Sequence, residues 1–205
     1  GDIVSWMHEI EGFSFLDAVE RLSAQTGIAV PKEGPPDTQY QEKIQPLHRV
    51  NEEALKYYVH NLTVNPAGKG AQAYLIDRGV HADSITRFRL GYALPQWEGL
   101  ARYLQSRSFR PQLLQEAGLA RPGKQQGSLY DYFRDRVIFP ILSEKGDCIA
   151  FGGRLMEAGE PKYLNTPENA VFQKREVLYG FSFAKQEIRK ADLVYIVEGY
   201  LDVIG

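Results

Sequence analysis

Two apolar runs, RVIFPIL (residues 136–142) and CIAFGGRL (148–155), are separated only by SEKGD, and no other feature limits the fold as tightly. Both are rich in β-formers and the segment between them has turn composition, so residues 136–155 are predicted to form a hairpin. Upstream the hydrophobic period is helical. Asn51 stands as an N-cap for EEALKYYVHNL, and GAQAYLIDRG, DSITRF, GLARYLQSR and PQLLQEAG continue the pattern, which makes residues 50–120 mainly helical.

Further upstream, GFSFLDAVERLSAQTG carries its own punctuation. Ser14 is placed to cap, Asp17 takes a capping-box position, and Phe15, Ala18, Val19 and Leu22 recur at helical spacing before Gly27 offers a left-handed C-terminus. Ile3, Met7 and Ile10 in DIVSWMHEI repeat the spacing, so two packed helices are expected. The proline-rich stretch VPKEGPPDTQYQEKIQP then reads as a linker.

At the other end, LVYIVE (193–198) is a continuous apolar run after the charged helical segment FAKQEIRKA, the pattern of a strand buried in an α/β layer. Such a strand delivers Glu198 to its C-terminal edge, and Gly199 permits a sharp exit. Asp202 either stabilises the start of a following helix or joins Glu198 at a cation.

Charge decides what partners are compatible. The formal net charge is −2, yet residues 1–66, 67–120, 121–190 and 191–205 carry −5, +3, +3 and −3. A mildly basic middle between acidic ends is compatible with a phosphate-binding surface beside a cation-binding edge. Cys148 is the single cysteine, and His8, His48, His60 and His81 lack ligand spacing, so neither a disulfide nor a zinc cage is expected within the chain. Cys148 itself reads as a small buried residue. The composition fits a reducing, cytoplasmic compartment, and no run approaches the length that spans a bilayer.

The basic segments have the chemistry that a nucleic-acid partner requires. Arg134 and Arg136 flank Asp135 at a strand start, so alternation places both on one face. In Phe151-Gly152-Gly153-Arg154 the glycines let the backbone approach a ligand while Arg154 presents a planar fork to phosphate. Lys162, Tyr163, Asn165, Lys174 and Arg175 add cationic and stacking groups, against the alternative of a solvated charged surface.

VEGYLDVI resembles the first motif of the TOPRIM domain of bacterial DnaG-type DNA primases, with a Glu before a Gly and an Asp four positions after the Glu. DYFRDRVIFPI (131–141), IAFGGRL (149–155) and PKYLNTPENAVFQK (161–174), continuing to LYG, resemble the same family in the same order. GDIVSWMHEIEGFSFLDAVERLSAQTGI is similar to the tail of the primase zinc-binding domain. Arg87, in TRFRLGYA, resembles a segment associated with the template groove, with Arg89 as its close alternative.

The resemblance implies an α+β fold in four parts: helices ending a zinc-binding domain (1–29), a linker (30–48), a small mixed α/β core subdomain (49–190) and the first strand of a truncated TOPRIM domain (191–205). It also implies a fragment, with Zn2+ ligands upstream of Gly1 and an Asp-x-Asp pair downstream of Gly205. The implied activity is RNA primer synthesis on single-stranded DNA from ribonucleoside triphosphates, beside a replicative helicase engaged elsewhere. Glu198 is then catalytic and, with Asp202, a partial Mg2+ or Mn2+ site, and the fragment alone is expected to be inactive. Another TOPRIM enzyme, a topoisomerase or nuclease, and a non-catalytic single-stranded DNA-binding module are the alternatives.

Overall fold

The computed structural model describes residues 2–11, 15–28, 40–157 and 159–205, in two compact units that divide between residues 38 and 39. The first unit holds α1 (Ile3–Glu11) and α2 (Phe15–Thr26), the expected pair. Asp2 caps α1 by accepting the Ser5 N–H at 2.8 Å, a bond that holds its carboxyl below the usual range. Gly27 ends α2 at φ 70°, as predicted. The Ser14 cap, the Asp17 side chain and residues 29–39 of the linker lie outside the described residues.

In the second unit the elements are α3 (Gln45–Thr63), α4 (Lys69–Asp77), α5 (Ala82–Arg87), β1 (Gly91–Ala93), α6 (Gly99–Ser106), α7 (Pro111–Glu116), β2 (Ala120–Pro122), β3 (Leu129–Asp131), β4 (Arg136–Leu142), β5 (Cys148–Leu155), β6 (Tyr163–Asn165), α8 (Phe181–Ala191) and α9 (Tyr200–Ile204). Asn51 is not an N-cap. A π-helical turn at Tyr40–Ile44 leads directly into α3, where Pro46 in the first turn needs no amide donor. Asn51 is therefore mid-helix and fully buried, and its Nδ2 donates to the Ile149 carbonyl at 3.0 Å, tying α3 to β5. The C-terminal part of the predicted linker is helix for the same reason.

The hairpin forms as predicted. β4 and β5 pair antiparallel from Arg136↔Leu155 to Leu142↔Cys148, and the sheet runs β1-β4-β5-β6, with β2 and β3 paired separately. Apart from Arg136 and Arg154 its runs are free of charge because both faces are covered. Ile138 and Phe151 pack with Leu55 and Tyr58 of α3 and with Leu100 and Leu104 of α6. Val137 and Phe139 pack on the opposite side with Leu75 of α4, Ile85 of α5 and Ile204 of α9. Cys148 is buried, and burial pushes its thiol far above the ordinary range.

LVYIVE does not form the expected buried strand. Among the described residues no strand pairs with 193–198, and Tyr195 and Ile196 are 83% and 78% exposed. Apolar content fits a segment for a β-layer, but only a neighbouring strand can satisfy its backbone there. The observed fold is thus α+β with antiparallel sheets, without the TOPRIM strand.

Candidate nucleic-acid interface

Strand alternation distributes the basic residues. Along β5, Phe151 and Gly153 face α3 and α6, whereas Gly152 and Arg154 face α4 and α9. The glycine pair accommodates aromatic rings of this chain. A Cβ on Gly152 would lie 2.6 Å from the Tyr200 ring, and one on Gly153 would lie 2.6 Å from Phe133.

Tyr200, the first residue of α9, stacks on Phe139 with centroids 4.9 Å apart and donates its hydroxyl to Asn165 Oδ1 at 2.7 Å. Burial, and then the neighbouring Tyr163, push the Tyr200 phenol up to about 12. The Asn165 side-chain oxygen is therefore engaged within the protein.

Arg134 and Arg136 do not share a face. Asp135 adopts φ 50°, which breaks the alternation, and its carboxylate accepts the Tyr92 hydroxyl at 2.6 Å. Burial, and then that carboxylate, raise the Tyr92 phenol well above its ordinary value. Arg136 turns inward, where it is 6% exposed and donates to the carbonyls of Gly153, Lys162 and Pro161 at 3.2, 3.2 and 2.8 Å. Its donors hold β4, β5 and the approach to β6 together, so Nη1 and Nη2 are engaged within the fold. Arg134 turns outward and lies 4.4 Å over Trp97 and 5.3 Å over Tyr130. A hydrogen bond to the Asp131 carbonyl fixes it there.

Trp97 and Tyr130 were missed in the sequence. Trp97 is 65% exposed, and its only linear signal was a bulky aromatic in the polar context PQWEG. Asp131 was missed as well. Its buried carboxylate accepts the Leu100 and Ala101 N–H groups, both at 2.8 Å, at the start of α6. Burial outweighs those bonds and pushes its carboxyl up to about 6.

Several of the predicted residues do converge. A cleft of about 630 Å³ is lined by Tyr163, Asn165, Lys174, Glu198 and Asp202, drawn from two separate sequence motifs. Lys162 is exposed at the head of β6, and Arg175, 81% exposed on its side chain, is 3.8 Å from Glu176. Arg87 is exposed beside Phe88, whereas Arg89 is paired with Glu52, which leaves Arg87 as the available member of the two. Among the described residues Arg87, Arg134, Arg154, Lys162 and Lys174 form no ion pair.

Glu198 is exposed and accepts no hydrogen bond from the described residues, whereas Asp202 accepts the Gly199 N–H at 3.0 Å as the capping partner of α9. Both are hard oxygen donors of the kind Mg2+ takes, so the donor type fits that ion. No group of three or more His, Cys, Asp or Glu gathers among the described residues, and a zinc site does not fit them. No described helix is long and apolar enough to cross a membrane.

The family model for the DNA primase catalytic core, N-terminal domain, matches residues 57–185. The chain belongs to the DnaG DNA primase family. That match spans Arg87, Arg134, Arg154, Lys162 and Lys174, and it decides against the topoisomerase and nuclease alternatives. A DNA primase of Halalkalibacterium halodurans is 38% identical over 205 residues, which are all of this chain and 34% of that protein. The chain thus spans about a third of the length of the curated primases it matches. Among solved structures, the RNA polymerase domain of Mycobacterium tuberculosis primase DnaG, in complex with a double-stranded DNA oligomer with a 6-nucleotide overhang, aligns with a TM-score of 0.73 at 33% identity. That alignment covers 78% of this chain and 50% of the other. A DnaG primase catalytic domain bound to ssDNA aligns with a TM-score of 0.71 at 35% identity, covering 80% and 50%.

Proposed function

We propose that this chain contributes the template- and nucleotide-holding surface of a DNA primase, an enzyme that copies single-stranded DNA into RNA primers from ribonucleoside triphosphates. The observation that carries the proposal is the set of cations without ion-pair partners, placed beside exposed aromatic rings. Arg134 is laid flat on Trp97, and Lys162 and Tyr163 lead from β6 into the cleft that also holds Lys174 and Glu198. Such a surface suits an unpaired strand, because phosphates take the cations and bases stack on the rings. That two solved relatives are bound to DNA supports a nucleic-acid partner for this chain.

In primer synthesis a 3′-hydroxyl attacks the α-phosphate of a nucleotide and pyrophosphate leaves. Lys174 and Lys162 neutralise phosphate charge as it develops, and Tyr163 offers a face for a base. Glu198 is the free carboxylate at the cleft, poised to take a proton or a cation. Mg2+ or Mn2+, when bound, supplies positive charge to the triphosphate, with Glu198 as an oxygen donor while Asp202 keeps its cap.

Binding of fluorescein-labelled oligodeoxythymidine across a KCl series tests the surface. Arg134→Ala and Lys162→Ala are each expected to weaken binding and to reduce the log–log salt slope by about 0.7, the contribution of one phosphate contact to a single strand. Unchanged affinity and slope in both variants would overturn the proposed surface.

A further inference from the structure

Trp97 is exposed and yet firmly held. The loop that carries it, between β1 and α6, is fastened to the β3–β4 connection by two backbone bonds: Leu94 O accepts the Asp135 N–H at 3.3 Å, and Trp97 O accepts the Asp131 N–H at 2.6 Å. Just beyond the loop, the Asp131 carboxylate takes the Leu100 and Ala101 N–H groups, both at 2.8 Å. It does so from β3, because Glu98, in the N-cap position of α6, makes no side-chain cap. Gly99 lets the turn close, since a Cβ there would lie 2.6 Å from Gln96 Oε1 and 2.7 Å from the Tyr57 hydroxyl.

Asp131 therefore touches each part of this exposed cluster. Its N–H holds the Trp97 backbone, its carboxylate holds the start of α6, and its carbonyl accepts from the Arg134 guanidinium. That guanidinium covers one face of the Trp97 ring, and Tyr130 meets the ring at 67° with centroids 5.8 Å apart. A Trp that is 65% exposed while one face lies under a guanidinium presents its other face to solvent. An indole fixed in this way can stack on a nucleobase with little loss of side-chain freedom.

We infer that Trp97 is a stacking platform for an unpaired base of the template strand and that Asp131 is the residue that positions it. The inference rests on the proposed function and deepens it, giving the base a ring of its own beside the cations that take phosphate. Trp97 is not among the residues that line the cleft holding Lys174 and Glu198, so the base belongs to the strand rather than to a nucleotide in that cleft. A carboxylate accepts with both oxygens at once, which a carboxamide of the same shape cannot do. Asp131→Asn therefore frees one of the two N–H groups at the start of α6 and loosens the ring three residues before Leu100.

The test uses the whole chain with fluorescein-labelled oligodeoxythymidine, a labelled abasic strand of the same length, and ATP in a calorimetric series. Only the first brings a base on a strand. Trp97→Leu is expected to weaken oligodeoxythymidine about tenfold, the scale of one lost stack. The abasic strand and ATP should bind that variant normally, because Arg134 keeps its bond to the Asp131 carbonyl and its contact with Tyr130. Trp97→Phe retains a ring face and should stay within about threefold of the natural chain. Asp131→Asn should weaken oligodeoxythymidine about threefold and leave the abasic strand unchanged.

A smaller folded fraction would weaken both strands alike, so the ratio of the two affinities separates positioning from stability. Added to Trp97→Leu, Asp131→Asn should change that ratio no further. Trp6→Phe leaves Trp97 as the only indole, whose emission should be quenched by oligodeoxythymidine, not by the abasic strand, and less strongly once Asp131→Asn is added. If Trp97→Leu keeps the natural ratio while Arg134→Ala and Lys162→Ala weaken binding, the platform is refuted and the wider surface stands. An unchanged ratio in Asp131→Asn, or a loss that adds in full to that of Trp97→Leu, would overturn the positioning role. Weaker ATP binding in Trp97→Leu would assign the ring to a nucleotide and equally refute the template base.

Discussion

Replacing Gly152 with alanine tests how α9 is held on the sheet. The new Cβ would lie 2.6 Å from Cε2, Cζ and Oη of Tyr200, about 1 Å inside ordinary contact, so the ring has to move by about that much. Such a shift breaks the 2.7 Å bond to Asn165, worth about 1 kcal/mol, and disturbs the Phe139 stack, worth about another 1 kcal/mol. Alanine offsets about 0.5–1 kcal/mol through its lower backbone entropy loss in a strand. Gly152→Ala should therefore destabilise the chain by about 1–1.5 kcal/mol in urea unfolding followed by far-UV circular dichroism. The decisive measurement is a double-mutant cycle with Tyr200→Ala. Once the ring is gone, Gly152→Ala should be neutral or slightly stabilising, which gives a coupling of about 2 kcal/mol. Hydrogen exchange should also quicken over residues 198–205 in the single Gly152→Ala variant, because Tyr200 begins α9. Additive stabilities, with coupling below about 0.5 kcal/mol, would refute the reasoning.

Asp131 should give the stability curve a signature, because its carboxyl is pushed up to about 6 in the fold from the usual carboxylate value. The folded state then holds the proton more tightly, so this group's stabilisation is complete below about pH 4 and is lost as pH rises through about 6. The stability of the natural chain minus that of Asp131→Asn should fall by roughly 2.5 kcal/mol between pH 4 and 7, and a flat difference would contradict the burial argument. Residues 1–205 alone, supplied with a single-stranded template, ribonucleoside triphosphates and Mg2+, are expected to make no primer, because Glu198 is the one free carboxylate at the described cleft. Template-dependent incorporation of labelled nucleotide by this chain would count directly against that expectation.

Local pattern determined the elements whose signals are themselves local. The hairpin over 136–155, the helices from α4 to α8 and the glycine at the end of α2 follow from periodicity, turn composition and left-handed backbone. The basic and aromatic residues of β5, β6 and the 3-10 turn at Lys174–Glu176 were legible as types, since phosphate recognition limits which side chains serve. The tertiary structure decided which of them are free.

Arg136 and Arg154 read alike in the sequence, yet one spends its fork on three carbonyls while the other lies between two tyrosines, because strand register assigns them to opposite faces. A left-handed Asp135 overrode the simple alternation that would have joined Arg134 to Arg136. Asn51 carried the signature of a cap, but Pro46 let the helix begin earlier, and burial against β5 gave the amide another partner. LVYIVE had the composition of a strand and lacks one beside it among the described residues, and Trp97 and Tyr74 acquired meaning only when arginines distant in sequence were brought over their rings. Composition and period are properties of a segment, whereas pairing, facing and charge balance are properties of neighbours, and neighbours are fixed only when the chain has packed.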